Sequence, residues 1–232
     1  MKRSVLDRLL DARAAGRPVV LATLLPTGEQ RLVEATDNEA AFAGRDIAAD
    51  ARSALRADAP RRLETEAGEI FLNVFNPPLK LVVVGAVHIA QALAPMAQLA
   101  GYGVSIVDPR GAFATPERFP DIRLIEDWPD DYLDANPPDS RTAVVTLTHD
   151  PKLDDAALGR ALRSPAFYIG ALGSRKTHAA RLERLRGAGF EEDILERLHA
   201  PVGLPLGGRS PAEIALAIMA EMTQVLRRGD AV

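Results

Sequence analysis

The stretch LVVVGAVHIA at residues 81–90 decides the fold class of this sequence. Its first four residues, Leu81–Val84, are all apolar, which is typical of a strand covered on both faces of a parallel sheet. A glycine, Gly85, follows directly, and the apolar positions after it recur at helical spacing over His88–Ala100. A buried strand that ends at glycine and runs into a helix predicts the first βα unit of a Rossmann-like sheet.

The same rhythm continues to the C-terminal end of the sequence. Apolar runs that predict further strands alternate with stretches that predict helices, and this alternation is typical of parallel sheets. Right-handed crossovers then place the strand-to-helix loops on one edge of the sheet. We therefore predict an α/β class with a Rossmann-like domain over residues 79–232. The predicted strands are Val104–Val107, Ile122–Ile125, Ala143–Leu147 and Phe167–Leu172, and the predicted helices are Asp154–Arg163, one from Lys176, and Ala212–Arg227.

Residues 1–76 follow a different pattern, which predicts a small α+β N-terminal domain. The boundary is predicted at Asn76-Pro77-Pro78, which interrupts both periodicities. In chain order we expect a helix at residues 3–15 with Val5, Leu9 and Leu10 on its apolar stripe, strands Pro18–Leu25 and Gln30–Thr36, a helix Ala40–Ala59, and strands Arg61–Glu66 and Glu69–Phe75.

The composition excludes several classes of function. The 232 residues include no cysteine, which excludes disulfides, thiolate metal sites and cysteine nucleophiles. The net charge of −4 gives no indication of a nucleic-acid partner. The four histidines show no metal-ligand spacing, and no GxSxG nucleophile motif is present. We find no signal peptide and no apolar run that could span a bilayer, so we expect a cytoplasmic protein with no membrane partner.

The turn at Gly85 is the first candidate binding site. Gly85, Ala90 and Asp108 match three positions of the dinucleotide fingerprint, in which the acid binds a ribose diol. Val87, however, replaces the glycine that lets a pyrophosphate approach the backbone. The turn is therefore either a ligand site or only the first turn of the sheet, and NAD(P) is the less favoured ligand.

The segment TLTHDP at residues 146–151 is the second candidate site. It leaves the carboxyl edge of a predicted strand, where open α/β sheets bind ligands. There His149 can act as a proton donor, a base or a ligand contact. In the alternative interpretation, Asp150 caps the next helix, Pro151 begins it and His149 is merely exposed.

The segment YIGALGSRKT at residues 168–177 is the third candidate. Ser174 can cap the helix that follows, and the N–H groups of a first helical turn attract anions. Arg175 and Lys176 add positive charge, and Arg181 can return to the same end of the helix. We favour an anion or phosphate site over an ordinary capped helix.

A fourth segment precedes the last predicted helix. Ser210 and Glu213 have the spacing of a capping box, with Pro211 at the first helical position. This pattern is mainly structural, although Gly207–Arg209 could also line the ligand edge.

Two longer runs, YIGALGSRKTHAARLERLRGAGF at 168–190 and RLHAPVGLPLGGRSPAEIALAIMAE at 197–221, resemble the XdhC–CoxI family. The shorter segments GAVHIAQALA, VDPR and TLTHD precede them in the order that the family shows, so the resemblance covers about residues 79–226. Members of this family are accessory factors of xanthine dehydrogenase and of related molybdenum hydroxylases such as aerobic CO dehydrogenase.

The resemblance implies a cofactor chaperone more than an enzyme. It implies binding of molybdenum cofactor, as molybdopterin or its dinucleotide form, and help with its sulfuration and insertion into a molybdenum hydroxylase apo-enzyme. It also implies a cysteine desulfurase partner and a homodimer. The alternatives are an NAD(P)-dependent oxidoreductase and an interaction module with a vestigial pocket.

The resemblance also implies a set of cofactor-binding residues, with no catalytic and no metal-ligating residue. Longer relatives carry a cysteine-containing N-terminal motif, but residues 1–75 of this sequence hold no cysteine, so its own thiol cannot handle sulfur or molybdenum. The implied residues are Gly85, Ala86, His88, Asp108, Arg110, Thr148, His149, Asp150, Gly170, Gly173, Ser174, Arg175, Lys176, Thr177 and Arg209.

Overall fold

The structure is a computed structural model that describes residues 2–228, so residue 1 and residues 229–232 of the predicted domains lie outside it. The chain forms two compact units that divide between Pro77 and Pro78. Each unit has its own sheet and its own hydrophobic clusters. Within residues 2–228, no helix combines the length and the apolar character needed to cross a membrane.

The first unit is built on a four-stranded antiparallel sheet in the order β2-β1-β6-β5. Helix α1 packs on one face and helix α2 on the other, so five of the six residues of the inner strand β1 are apolar. The elements are α1 (Arg3–Ala14), β1 (Val19–Leu24), β2 (Glu29–Glu34), β3 (Ala41–Phe42), β4 (Arg45–Asp46), α2 (Ala48–Ala57), β5 (Arg61–Thr65) and β6 (Gly68–Phe75).

Two predictions in this unit are wrong in part. The helix predicted over Ala40–Ala59 begins only at Ala48, because a small hairpin, β3–β4, precedes it. Ala43 and Gly44 at its tip have φ of +51° and +75°, which no right-handed helix accepts. In α1, Leu10 does not belong to the buried stripe, since it is half-exposed and Ala12 is buried instead.

The second unit contains a six-stranded sheet in which all neighbouring strands are parallel. Its order β9-β8-β7-β10-β11-β12 is the Rossmann order 3-2-1-4-5-6, so the predicted fold class is confirmed. Helices α4 and α7 and strand β12 were not predicted. The elements are β7 (Leu79–Val84), α3 (His88–Leu99), β8 (Tyr102–Val107), β9 (Arg123–Ile125), α4 (Pro129–Ala135), β10 (Thr142–Thr146), α5 (Pro151–Leu162), β11 (Tyr168–Ala171), α6 (Arg175–Gly187), α7 (Glu192–Leu195), β12 (Leu198–His199) and α8 (Pro211–Arg228).

Strand β7 accounts for the apolar run in front of Gly85. Leu81 and Val83 face a cluster formed with helices α3 and α8, whereas Val82 and Val84 face a second cluster formed with α4 and α5. Because both faces are covered over residues 81–84, all four residues there are apolar. The strand order reverses between β7 and β10, and the crevice beyond their carboxyl ends is where such sheets bind ligands.

Candidate functional site

The loops that leave β7 and β10 touch each other at this switch point. Gly85 follows β7 with a φ of +108°, and its N–H donates to the Val107 carbonyl at 2.9 Å. A Cβ at this position would lie 2.6 Å from Cγ2 of Thr148, in the loop after β10. Only glycine satisfies both constraints, so Gly85 brings the two loops together.

Asp108, at the end of β8, is fully buried beside this turn. Its Oδ2 accepts from the Ala86 N–H at 2.9 Å, and its two oxygens accept from Nε and Nη2 of Arg110, each at 2.8 Å. The backbone N–H of Arg110 donates to Oδ1 at 3.0 Å. Burial raises the pKa of Asp108, but these hydrogen bonds outweigh it and leave the pKa below its ordinary value. The carboxylate that matched the ribose position of the fingerprint is therefore engaged by the protein.

The β10–α5 loop contains the helix cap that its sequence suggested. Asp150 caps α5, since it accepts from the Lys152 N–H at 3.0 Å. His149 has a φ of +64° and is exposed at the ligand edge. Thr148 donates its hydroxyl to Oδ1 of Asp154 at 2.7 Å. The capping interpretation of Asp150 is correct, and His149 is free of the core and faces solvent.

Helix α6 begins at the carboxyl end of the next strand, β11. Gly173 enters the helix with a φ of +148°, and Ser174 caps it by accepting from the Thr177 N–H at 3.2 Å. Ser174, Arg175, Lys176 and Thr177 are all exposed. The predicted cap is confirmed, and the positive end of the helix opens to solvent at the ligand edge.

Arg181 lies behind this helix start. Long helical side chains point back toward the N-terminus of their helix, and the Arg181 guanidinium donates through Nη2 to the Leu172 carbonyl at 2.8 Å. Its Nη2 is 3.8 Å from the position that a Cβ on Gly173 would take. Arg181 is nevertheless 2% exposed, and burial lowers its pKa.

The polar atoms around Arg181 are not all satisfied. Its Nη2 stands 3.8 Å from Oδ2 of Asp154, too far for a hydrogen bond. Within the described part of the chain, no hydrogen bond reaches Nε or Nη1 of Arg181, Oδ2 of Asp154 or Nδ1 of His178. Buried polar atoms are almost always hydrogen-bonded. Among the described residues, this buried cluster therefore leaves polar atoms without partners directly behind the start of α6.

Asp154 is the member of the site that the sequence analysis missed. It is buried, and burial raises its pKa because the hydrogen bonds from Thr148 and the charge of Arg181 do not compensate for the lost hydration. Its signal was its place in the first turn of α5, which put it beside the preceding loop.

The remaining cofactor-binding residues that the family resemblance implies differ in their solvent exposure. His88 begins α3 and is exposed, whereas Val87 before it is half-buried and packs against the core. Gly170 lies inside β11, where a Cβ would fall 2.6 Å from Cγ2 of Val202, so it serves packing. Arg209 is exposed before α8, and its N–H donates to Glu213 at 2.8 Å.

The capping box before α8 is confirmed. Glu213 accepts from the Ser210 N–H at 2.9 Å, and the Glu213 N–H donates back to the Ser210 hydroxyl at 3.3 Å. Among residues 2–228, no group of three or more potential metal ligands comes together.

A family model described as the XdhC Rossmann domain matches residues 81–222. The chain belongs to the XdhC family. The matched range contains all of the loops described above. Among curated relatives, the uncharacterized protein YqeB of Escherichia coli K12 is 31% identical over 159 residues, which cover 68% of this chain and 29% of YqeB.

Two further relatives of this XdhC-family chain carry functional names. The molybdenum cofactor insertion chaperone PaoD of E. coli K12 is 31% identical over 65% of this chain and 41% of PaoD. A probable xanthine dehydrogenase subunit of Bacillus subtilis 168 is 30% identical over 68% of this chain and 46% of that protein. The chain thus spans less than half the length of these relatives.

A solved structure resembles both units. The crystal structure of a xanthine dehydrogenase from Bacillus halodurans matches with a TM-score of 0.71 and 26% identity, over 99% of this chain and 66% of that one. The likeness therefore includes the N-terminal unit, which the family model does not reach.

Proposed function

We propose that this chain binds molybdenum cofactor in the switch-point crevice and delivers it to the apo-enzyme of a xanthine dehydrogenase-type molybdenum hydroxylase. In this proposal the cofactor is cargo, and the chain is a chaperone and not an enzyme. Membership of the XdhC family and the name of the relative PaoD support it.

The observation that carries the proposal is the start of α6 with Arg181 behind it. The cofactor is a pterin with a phosphate tail, and a phosphate fits the N–H groups of a first helical turn. Arg175 and Lys176 are exposed at that turn, and the buried guanidinium of Arg181 behind it has two nitrogens without a hydrogen-bond partner among residues 2–228. The helix start therefore offers N–H donors and positive charge to a phosphate, and the charge of Arg181 adds to that potential from behind.

The loops at the switch point would hold the rest of the molecule. Thr148, His149 and Asp150 supply polar groups beside the turn at Gly85 and Ala86, and a pterin ring presents hydrogen-bonding edges to such groups. The bound cofactor would supply its own molybdenum centre. The chain has no cysteine to add a thiolate to it.

We further propose a cysteine desulfurase as the sulfur source, because this chain contains no thiol of its own. We also propose that it works as a homodimer, and in the cytoplasm. Co-purification with an affinity-tagged desulfurase and light scattering of the purified chain test the first two proposals separately.

Cofactor retention tests the function directly. The full chain is isolated from a host that makes molybdenum cofactor, and bound molybdenum and pterin are measured by mass spectrometry. We expect wild type to carry cofactor, and Arg181→Gln to lose at least about tenfold. Arg184→Gln is the matched control, because Arg184 is on the same helix but is exposed and paired with Asp155.

Arg175→Ala/Lys176→Ala is the second variant, since both side chains are exposed and their loss should leave the fold intact. We expect a reduced cofactor load with an unchanged melting temperature. Wild-type protein that carries no cofactor, in a host whose hydroxylase remains fully active after deletion of this chain, would contradict the proposal.

A further inference from the structure

Asp108 lies at the position where many sheets of this topology bind the ribose of a dinucleotide. An acid at the end of the second strand accepts hydrogen bonds from the ribose hydroxyls of a dinucleotide. That use requires free lone pairs directed at the ligand. Here both oxygens of Asp108 are filled by the Ala86 N–H and by the backbone and guanidinium of Arg110, at 2.8–3.0 Å.

Arg110 is fixed in this position from more than one side. Two parallel hydrogen bonds join its guanidinium to Asp108, the geometry that gives Arg–carboxylate pairs their strength. The same guanidinium lies over the ring of Phe113, 4.8 Å from its centroid. Its side chain is 39% exposed, so it forms part of the surface of the crevice.

The charges of the opposite loop also act on Arg110. The carboxylates of Asp150 and Asp154 raise its pKa, after the larger effect of the hydrogen bond to Asp108. Arg110 therefore lies within electrostatic reach of the β10–α5 loop as well as of the turn at Ala86. A ribose that approached Asp108 would meet the guanidinium first.

The turn itself presents a second obstacle. Val87 stands where the fingerprint has a glycine for the pyrophosphate, and it packs partly against the core. Val87 thus obstructs the pyrophosphate of a dinucleotide, and Arg110 obstructs its ribose. Both obstacles lie on the β7–β8 side, whereas the α6 start lies beyond β10.

We propose that Arg110 is a specificity-determining residue that closes the ribose position of the crevice to a dinucleotide bound in the orientation of the Rossmann fingerprint, such as NAD(P). This inference goes beyond the proposed function and does not depend on it. The closure of the ribose position by Arg110 can be tested without any molybdenum cofactor.

The test uses ADP-ribose, which carries the diol and the pyrophosphate, in calorimetric titrations of the full chain. Val87→Gly is made first to remove the pyrophosphate obstacle, and Arg110→Gln is then added to it. We expect no saturable binding for wild type or for Val87→Gly at millimolar ligand, and an affinity at least about tenfold higher for Val87→Gly/Arg110→Gln. Adding Asp108→Asn to that pair should abolish the gain, because the acceptor charge is lost.

Circular dichroism and melting curves establish that each variant is folded, and Arg110→Met replaces Arg110→Gln if the latter is not. Micromolar binding of ADP-ribose by wild type would overturn the proposal. So would a folded double variant that binds no better than Val87→Gly, or a gain that survives Asp108→Asn. If instead the retention experiment fails while Arg110 still controls ADP-ribose binding, the proposed function is wrong and the closure of the ribose position stands.

Discussion

Gly85 and Thr148 approach each other so closely that a Cβ on Gly85 would lie 2.6 Å from Cγ2 of Thr148. The two residues belong to the loops after β7 and β10, which flank the reversal of strand order. The crevice therefore has a fixed base, because the loops cannot separate without losing this contact. Thr148 is in turn held by Asp154, so the contact extends to the first turn of α5.

Gly85→Ala should destabilise the protein by about 3 kcal/mol, from backbone strain and from the clash with Thr148. The φ of +108° is unfavourable for alanine even without a neighbour. Urea denaturation of the full chain, followed by circular dichroism, measures the loss.

Gly101→Ala is the matched control, since its φ is +88° but no heavy atom lies within 4 Å of the added Cβ. It should cost only the backbone part, about 1 kcal/mol. Adding Thr148→Ser to Gly85→Ala removes the methyl and keeps the hydroxyl, so it should restore part of the loss. Equal costs at positions 85 and 101 would show that the contact carries no energy.

Asp154→Asn should change how stability depends on pH. Burial raises the pKa of Asp154 in the folded protein above its ordinary value of 3.8, so ionisation of this carboxyl opposes folding. Its contribution to stability is fully present below pH 3.8 and is lost as the pH rises through the raised folded pKa. The unfolding free energy of wild type minus that of the variant should therefore fall as the pH increases from about 4.

Asp139→Asn should show the opposite pH dependence: the unfolding free energy of wild type minus that of this variant should rise as the pH increases through the acid range. Burial raises the pKa of Asp139, but hydrogen bonds from Lys80 and Thr142 outweigh it and lower the pKa. Its stabilising contribution is present above pH 3.8 and is lost as the pH falls through the lower folded pKa. The raised pKa of Asp154 would be refuted if the stability difference between wild type and Asp154→Asn did not change with pH over the acid range. It would also be refuted if that difference rose with pH, as it should for Asp139→Asn.

Arg181→Met should cost about 3 kcal/mol, because it leaves the buried Asp154 carboxylate without its cation. Adding Asp154→Asn removes that charge and should restore most of the stability. If the pair exists for ligand binding, the double variant should be nearly as stable as wild type in denaturant titrations yet retain little cofactor. A stable double variant with a full cofactor load would assign the pair to structure alone.

The sequence was sufficient for the main elements of the second unit and for its local caps. Residues 81–84 of strand β7 are apolar on both faces, and Ser174 and Ser210 bond residues only three positions away. Each of these features can therefore be recognised within a few residues of sequence. The hairpin β3–β4 escaped prediction because its helix-breaking conformation lies in Ala43 as well as in Gly44, and alanine gives no warning of a positive φ.

The geometry of the site could be predicted only in part, because its decisive pairs are tertiary. Asp154 and Arg181 lie on different helices, and nothing near either residue in the sequence indicates the other. Asp108 matched the spacing of a ribose ligand, yet spacing cannot reveal that Arg110 folds back onto the same carboxylate. Sequence patterns thus locate the edge of the sheet where ligands bind. Contacts between residues brought together by the fold decide which acceptor atoms there are already hydrogen-bonded within the protein.

Tyr168→Phe should cost about 2 kcal/mol near neutral pH, because it removes a hydrogen bond to a carboxylate. The Tyr168 hydroxyl donates to Oε2 of Glu221, which also accepts from the Gly203 N–H at 2.8 Å. Burial raises the pKa of Glu221, but hydrogen bonds from His199, Tyr168 and Gly203 outweigh it and lower the pKa. Glu221 therefore stabilises the fold above pH 4.5, and that contribution is lost as the pH falls through its lower folded pKa.

The cost of Tyr168→Phe should accordingly shrink when denaturation is repeated on the acid side of that transition. Tyr102→Phe is the matched control, because Tyr102 is equally an internal tyrosine of the sheet but does not bond Glu221. Its cost should not follow the titration of Glu221. A cost for Tyr168→Phe that is the same in acid as at neutral pH would mean that the Glu221 charge does not strengthen the bond. The loop at Gly203 would then be held by packing against α8, where a Cβ on Gly203 would lie 3.0 Å from the backbone of Ala217 and Ile218.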